Sequence, residues 1–373
     1  MIICEKCFKD LEIQAIIRSL NHHGTCPICG STSYIYDTDS DTSLNGLFDR
    51  VISVYTPLQD LPDEFPESET GSLAELIKGD WDIFDDIAIE HIQNILSSLA
   101  PNLYEDFPLL FSGKVGIAEK YDLDYLRDHH TILRTKEWKD FVDTIKHKNR
   151  FHVNLIDTEK LKEYCLLMQK DILVGNQRFY RGRIAHGTTG YTPSEMGAPP
   201  IDKATDGRAN SFGISRLYLT DSMETTYHEI RAAEFDYVTI GTFKLLQPIK
   251  VVDLRQIENI TPSPFASETD DIDCTALAIN RAHLKKIGQE ISKTMRRGDS
   301  PLDYIPTQYI CDFIMSIADE DGNPYFDGIE YQSAMHSKGA NLTIFYPEKF
   351  KCTYSRTYEV TKLKYSKSLV KKL

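Results

Sequence analysis

The chain has 373 residues, of which 41% are hydrophobic, and this is enough to form two or three domains with cores of their own. Its formal net charge of −14 makes it a poor candidate for non-specific binding to nucleic acid, which depends on Lys and Arg. No stretch of the sequence reaches the ~18 apolar residues that a membrane-spanning helix needs, and the first residues lack the pattern of a signal peptide, so we expect a cytoplasmic protein without membrane contact.

Four cysteines near the N-terminus form two pairs, Cys4 with Cys7 and Cys26 with Cys29. Two residues separate the members of each pair, and eighteen residues separate the pairs. This spacing is typical of a structural Zn²⁺ site with four thiolate ligands. We therefore predict a zinc ribbon over residues 1–45. The other four cysteines are scattered, and in a reducing compartment we expect them to be buried thiols.

The middle of the chain has helical periodicity. It is preceded by residues 56–70, whose acidic, proline-containing composition predicts a linker or an extended loop. Ser72 and Glu75 have the spacing of a capping box. Apolar residues then recur near the helical period in three stretches, and we predict an all-helical domain over residues 46–165. The apolar residues are Ile87, Ile89, Ile92, Ile95, Leu96 and Leu99, then Trp138, Phe141, Val142 and Ile145, then Leu161, Tyr164, Cys165 and Met168.

From Phe179 onward, short strand-like runs alternate with helical segments, which predicts an α+β domain over residues 166–373. The predicted strands are 217–220, 237–243, 249–254, 328–332 and 341–346. The predicted helices are 223–235, 276–297 with Gly298 as its stop, and a helix that begins at Pro306.

This half contains polar residues that a scaffold alone does not require. No glycine fingerprint of a dinucleotide-binding unit or a P-loop stands between a predicted strand and a predicted helix. If a dinucleotide binds here, arginine side chains must hold its phosphates. The polar residues of interest are Arg181, Arg183, Glu195, Arg208, Tyr218, Glu229 and Ser333.

These residues lie in sequence blocks that resemble a RES domain, a family named for its Arg, Glu and Ser residues. The blocks follow one another in the family's order between Phe179 and Phe345, over nearly half of the chain. The helical middle segment resembles, more weakly, the HEPN-like module that precedes some RES domains. The matching blocks are 180–183, 195–200, 207–210, 213–219, 226–231, 252–254, 328–333 and 341–345.

The resemblance implies an ADP-ribosyltransferase-like fold, with an NAD cleft between two small sheets. Many RES domains are toxins of toxin–antitoxin pairs that degrade NAD by hydrolysis or phosphorolysis, and some ADP-ribosylate a protein. Carried over by position, the family's arginines fall on Arg181 and Arg208, its aromatic residue on Tyr218, its acid on Glu229 and its serine on Ser333. Glu229, Arg181 and Tyr218 are then the expected catalytic residues. Arg181, Arg208, Tyr218 and Ser333 are the expected NAD-binding residues.

The position of the first family arginine stays open by two residues, because Arg183 has the same chemistry as Arg181. The chemistry of NAD cleavage suits these residue types. Nicotinamide leaves as a neutral molecule, so the main difficulty is the oxocarbenium-like ribose of the transition state. A carboxylate such as Glu229 can hold the ribose 2′-hydroxyl and offset the positive charge. Guanidinium groups suit the pyrophosphate.

The expected reaction is therefore cleavage of the nicotinamide–ribose bond, with NAD as substrate and Zn²⁺ as a structural ion. The acceptor of ADP-ribose stays open between water, phosphate and a protein. A cognate antitoxin and a homo-oligomer are possible partners. A non-catalytic binding module is an alternative from another class. A HEPN ribonuclease is disfavoured, because the arginine–histidine pair at a suitable spacing before residue 166, Arg18 and His23, falls inside the predicted zinc loop.

Overall fold

A computed structural model describes residues 1–128, 130–260, 273–293 and 300–363 of the chain. The chain divides into two compact units, each built from several sequence segments. Unit 1 comprises Met1–Thr144, Phe151–Leu161 and Gln256–Lys285, and unit 2 comprises Ile145–Arg150, Lys162–Arg255 and Lys286–Leu373.

Both units contain strands and helices. The strands are β1 (Ile2–Cys4), β2 (His23–Thr25), β3 (Thr32–Asp37), β4 (Thr56–Pro57), β5 (Gly71–Ser72), β6 (Lys114–Gly116), β7 (Gln169–Ile172), β8 (Phe179–Ala185), β9 (Leu217–Thr220), β10 (Tyr237–Leu245), β11 (Ile249–Asp253), β12 (Gly328–Gln332), β13 (Ala340–Ile344) and β14 (Phe350–Glu359). The helices are α1 (Leu11–Ser19), α2 (Asn45–Ile52), α3 (Leu73–Trp81), α4 (Ile89–Leu99), α5 (Pro101–Asp106), α6 (Pro108–Ser112), α7 (Leu123–Arg127), α8 (Trp138–His147), α9 (Thr158–Leu167), α10 (Met223–Glu229), α11 (Cys274–Ser292) and α12 (Ile305–Ser316). None of these helices combines the length and the apolar composition that crossing a bilayer requires.

In unit 1 the cysteine-bearing segment packs directly against α2 and against the residues between α3 and α4. Strands β1, β3 and β2 form a small antiparallel sheet. Phe8, which follows the first cysteine pair, is fully buried and contacts Phe48 and Phe84 at ring-centroid distances of 6.4 and 5.4 Å. The amide of Asp85 also donates to the carbonyl of Cys7, at 3.0 Å. Residues 1–45 therefore share a core with residues that follow them.

The acidic segment 56–70 belongs to unit 1, and the middle of the chain is not all-helical as predicted. Strands β4 and β5 lie at the two ends of this segment, and both pair with β6 to form a three-stranded sheet. The carboxyl end of β5 leads directly into α3, whose capping box of Ser72 and Glu75 agrees with the prediction. The prolines of segment 56–70 therefore lie in or beside short strands and turns.

Two polar side chains explain why the first part of α11 belongs to unit 1. Arg281 is completely buried, and its guanidinium donates to the carbonyls of Asp80, Trp81 and Ile257 at 2.9–3.1 Å. The Asn280 carboxamide accepts from the amide of Ile132 at 2.7 Å. Buried polar groups need such partners. The predicted domains 1–45, 46–165 and 166–373 therefore do not coincide with the two units.

Unit 2 is built on a sheet with the strand order β14-β10-β8-β9-β13-β12-β11-β7. Neighbouring strands are antiparallel except β11 and β12, which are parallel. Only one residue pair, Tyr180 with Thr220, joins β8 to β9. The sheet thus consists of a three-strand half and a five-strand half that meet at a narrow junction.

The two faces of β8 are occupied by different elements. A Cβ atom added at Gly182 would lie 2.6 Å from Thr226 and 2.9 Å from Ile230, so this position of the strand faces α10. Side chains alternate along a strand. Arg181 and Arg183 must therefore lie on the face away from α10.

Most predicted elements of this half are present, with shifted ends. The helix predicted over 223–235 ends at Glu229, because the backbone turns into the left-handed region at Arg231 (φ 51°) and again at Phe235 (φ 72°). The helix predicted over 276–297 is α11, and its expected stop at Gly298 lies outside the described residues.

Candidate active site

The carboxylate of Glu229 is held at one oxygen and left open at the other. Oε1 accepts from the Ser333 hydroxyl at 2.5 Å and from Nδ2 of Asn341 at 2.8 Å. Oε2 accepts no hydrogen bond from any residue that the structure describes. Because Glu229 is the last residue of α10 and only half-buried, Oε2 is available to a ligand. The site thus presents one preoriented acceptor.

Ser333 is the first of the two hydrogen-bond donors to Glu229. Its side chain is buried, and its oxygen accepts from the amides of Met335 and His336 at 3.2 and 3.0 Å. With these two amides donating, the hydroxyl proton is left for Glu229. Ser333 is absent from the cavity wall, so its described contacts are those of a residue that positions the carboxylate.

Asn341 approaches the same oxygen from the sheet. It lies on β13 opposite Thr220 and Tyr331, and it is buried. Its Nδ2 must face Glu229, because a carboxamide oxygen placed there would repel the carboxylate. Sequence reasoning missed Asn341, because an asparagine is neither an acid nor a base, although this residue begins the block 341–345.

A cavity of about 400 Å³ opens in front of Glu229. Its wall contains cationic and anionic groups, together with aromatic, aliphatic and small polar residues. Its lining comprises Gly207, Arg208, Tyr218, Glu229, Ile230, Arg231, Ile291, Ser292, Lys293, Tyr331, Met335 and Asn341. Tyr218, Glu229 and Arg208 were expected there from the sequence.

Tyr218 is held rigidly in this wall. Its hydroxyl donates to Oδ1 of Asn210 at 2.5 Å. The Asn210 amide in turn donates to the carbonyls of Thr205, Ser211 and Ile214 at 2.8–3.2 Å. Burial raises the pKa of Tyr218 well above its usual range, so the phenol stays neutral. The ring is therefore a fixed, uncharged surface.

Gly207 leaves room for this arrangement. A Cβ atom at this position would lie 2.9 Å from both the Tyr218 hydroxyl and Oδ1 of Asn210. A larger residue would push the tyrosine or the asparagine out of place.

Arg208 brings a guanidinium to the same wall. It donates to the carbonyl of Glu290 at 3.2 Å and lies 5.2 Å from the ring centroid of Tyr304. Its Nε is buried and has no hydrogen-bond partner among the described residues. The side chain is therefore anchored at one edge and retains donors for an anionic ligand.

The other predicted arginine does not join this group. Arg181 donates to the carbonyls of Met196, at 2.9 Å, and of Gly197. Arg183 donates to the carbonyl of Glu195 at 2.7 Å and lies over the ring of Tyr191. Neither arginine lines the cavity, and both hold the loop 195–197 on the face of β8 away from α10. Burial, with help from Arg183, lowers the pKa of Arg181 to about 10, so it stays charged at neutral pH.

The N-terminal cysteines form a second candidate site, in unit 1. Their four Sγ atoms lie within 4.8 Å of one another, with Cys4–Cys29 at 3.4 Å and Cys7–Cys26 at 3.7 Å. Four sulfurs at ~2.3 Å from one Zn²⁺ ion would be ~3.8 Å apart, so the residues fit such an ion. Burial raises the pKa of Cys4 to about 12 and raises that of Cys7 as well. A bound ion must therefore displace their protons.

Comparison with known proteins identifies the family of the second half of the chain. The family model described as the RES domain matches residues 180–364. This range contains Glu229, Ser333, Asn341, Arg208 and Tyr218. No curated protein and no solved structure matches the chain.

Proposed function

Since residues 180–364 form a RES domain, we propose that the protein cleaves the bond between nicotinamide and ribose in NAD, with water or phosphate accepting the ADP-ribose. The observation that carries this proposal is the Glu229 carboxylate. One of its oxygens is held by Ser333 and Asn341, and the other is free at a cavity that also contains Arg208 and Tyr218.

The free Oε2 of Glu229 supplies what the transition state needs. As the C1′–N bond breaks, its electron pair returns to the nicotinamide ring, and positive charge develops on the ribose. Oε2 accepts from the ribose 2′-hydroxyl and stabilises this charge. Because Oε1 is already held by two donors, the carboxylate does not need to reorient during the reaction. Such preorganised groups are worth ~3–4 kcal/mol each.

Arg208 and Tyr218 position the remaining parts of the substrate. The Arg208 guanidinium donates to a pyrophosphate oxygen, for which its planar fork is suited. The Tyr218 ring packs against the nicotinamide, and its neutral hydroxyl remains bonded to Asn210. Ser333 and Arg181 have indirect roles in this proposal: Ser333 through Glu229, and Arg181 through the loop that contains Met196 and Gly197.

We also propose that the four cysteines hold one structural Zn²⁺ ion. Their geometry fits the ion, and four thiolates would leave no open position for a substrate. Phe8, next to this cluster, is part of the core of unit 1. The ion would therefore stabilise unit 1 and take no part in cleaving NAD.

The proposed reaction is tested by incubating the purified full chain with NAD, with and without phosphate, and identifying the products by mass spectrometry. Hydrolysis yields nicotinamide and ADP-ribose, and phosphorolysis yields nicotinamide and ADP-ribose 1″-phosphate. An ADP-ribose adduct on a protein would instead support the transferase alternative. No release of nicotinamide under any of these conditions would overturn the proposal.

A further inference from the structure

A second cavity of about 740 Å³ lies beside the one in front of Glu229. It is bounded by the side of α10 and by the end of β14 with the residues that follow it. Its walls are largely aromatic and aliphatic, and they include Tyr227, Ala232, Met335, Tyr358, Val360 and Leu363. The rings of Tyr227 and Tyr358 meet edge to face, with centroids 6.5 Å apart. We call this second cavity the tyrosine groove.

The tyrosine groove and the Glu229 cavity meet at two shared side chains. Arg231 and Met335 line both of them. Arg231 follows Glu229 by two residues and has a left-handed backbone, with φ 51°. This conformation is uncommon for a residue with a side chain and often accompanies a functional constraint. A ligand longer than one cavity can therefore pass from Glu229 over Arg231 into the groove.

The chemistry of the two cavities differs in the way that the two ends of NAD differ. The Glu229 cavity has a carboxylate for a ribose, together with cationic groups. The charged residues that line the groove are two carboxylates, Glu224 and Glu359, and two cations, Arg231 and Lys362, so the groove offers a phosphate no excess of positive charge. An uncharged purine base suits a wall of tyrosine and aliphatic side chains. The Arg231 guanidinium at the junction suits the pyrophosphate that joins the two nucleosides.

We propose that the tyrosine groove binds the adenosine end of NAD, with the adenine base against Tyr227 and Tyr358. This inference rests on the proposed function, because it names where the far end of the same substrate lies. It assigns a binding role to Tyr227 of α10, to Tyr358 near the end of β14 and to the residues after β14, none of which the proposed reaction uses.

The test measures how AMP and nicotinamide each inhibit NAD cleavage by the full chain. AMP carries the adenosine end of the substrate, and nicotinamide carries the end near Glu229. The variant is Tyr358→Leu, which keeps apolar bulk in the groove but removes the aromatic ring. The matched control is Tyr354→Leu on the same strand, since Tyr354 is 47% exposed and lines neither cavity.

We expect Tyr358→Leu to raise the inhibition constant of AMP roughly 10-fold, the size of effect that loss of base stacking on one aromatic ring produces. The inhibition constant of nicotinamide should stay the same, and Tyr354→Leu should change neither constant. If Tyr358→Leu does not fold, Leu363→Ala provides a smaller change at the edge of the groove. This variant should also raise the inhibition constant of AMP and leave that of nicotinamide unchanged.

Two results would overturn the inference while leaving the proposed function intact. One is NAD cleavage that depends on Glu229 but is not inhibited by AMP. The other is inhibition by AMP that is equal in Tyr358→Leu, Leu363→Ala and the unaltered protein. A complete lack of NAD cleavage by the unaltered protein would instead remove the proposed function, and this inference with it.

Discussion

The two candidate sites differ in what their polar atoms face: those of one site face each other, and that of the other site faces a cavity. At the cysteine cluster, four like atoms lie within 4.8 Å of one another and can enclose a single ion. At Glu229, two donors hold one oxygen, and the second oxygen is open to a cavity. A closed ligand set favours stability, and an open, oriented group favours chemistry on a ligand.

The two sites also differ in how the chain assembles them. The cysteines come from two short turns of one N-terminal segment. The Glu229 site combines the end of a helix, the residue after β12 and the second residue of β13. Loss of the first site should therefore show mainly in stability, and loss of the second mainly in turnover.

The largest effect should follow from breaking the cysteine cluster with Cys26→Ser. Structural zinc contributes roughly 10–16 kcal/mol in small zinc domains, so we expect unit 1 to lose its cooperative unfolding transition. Elemental analysis and circular dichroism on freshly reduced protein would measure this change. Cys352→Ser, outside the cluster, should keep one metal ion per chain. Absence of metal from the unaltered protein would show that the cluster has another role.

The next largest effect should come from Glu229→Gln, which keeps the shape of the side chain but removes its charge. We expect NAD turnover to fall by ~10²-fold or more, with little change in thermal stability. Glu234→Gln is the matched control, because Glu234 is exposed and lines neither described cavity. An active Glu229→Gln protein would place the essential acid elsewhere.

A smaller effect should separate the two family arginines. Arg208→Lys should lower kcat/KM for NAD by roughly 10–100-fold, because lysine cannot donate from a planar fork. Arg181→Lys should instead lower the free energy of unfolding by about 1–3 kcal/mol, because carbonyls of the loop 195–197 lose their donor. Steady-state kinetics and urea unfolding measure the two quantities. A larger rise in KM for Arg181→Lys than for Arg208→Lys would make Arg181 the NAD-binding arginine that the family resemblance implies.

The smallest of these effects should come from Asn341→Ala. Losing one of the two donors to Oε1 should lower kcat by ~10-fold, equivalent to about 1.4 kcal/mol, and leave KM nearly unchanged. The control is Asn45→Ala in unit 1, where the carboxamide oxygen also lacks a partner among the described residues. A fall in kcat of equal size in both variants would indicate general destabilisation instead of positioning of Glu229.

The sequence by itself determined features that depend on neighbouring residues. The spacing of Cys4, Cys7, Cys26 and Cys29 predicted a group of four thiols that the structure brings within 4.8 Å of one another. The helix start at Ser72 and the strand 217–220 were also predicted where they occur. Capping, periodicity and short metal motifs can be predicted in this way, because their physical causes act within one or two turns of the chain.

Only the tertiary structure decided which groups meet. The alternation of β8 places Arg181 and Arg183 away from α10, although both lie within a block that resembles the family. The buried polar contacts of Arg281 draw the first part of α11 into unit 1. Asn341 reaches Glu229 across more than a hundred residues of sequence. These contacts depend on strand register and on the burial of polar groups between distant segments, which no local pattern encodes.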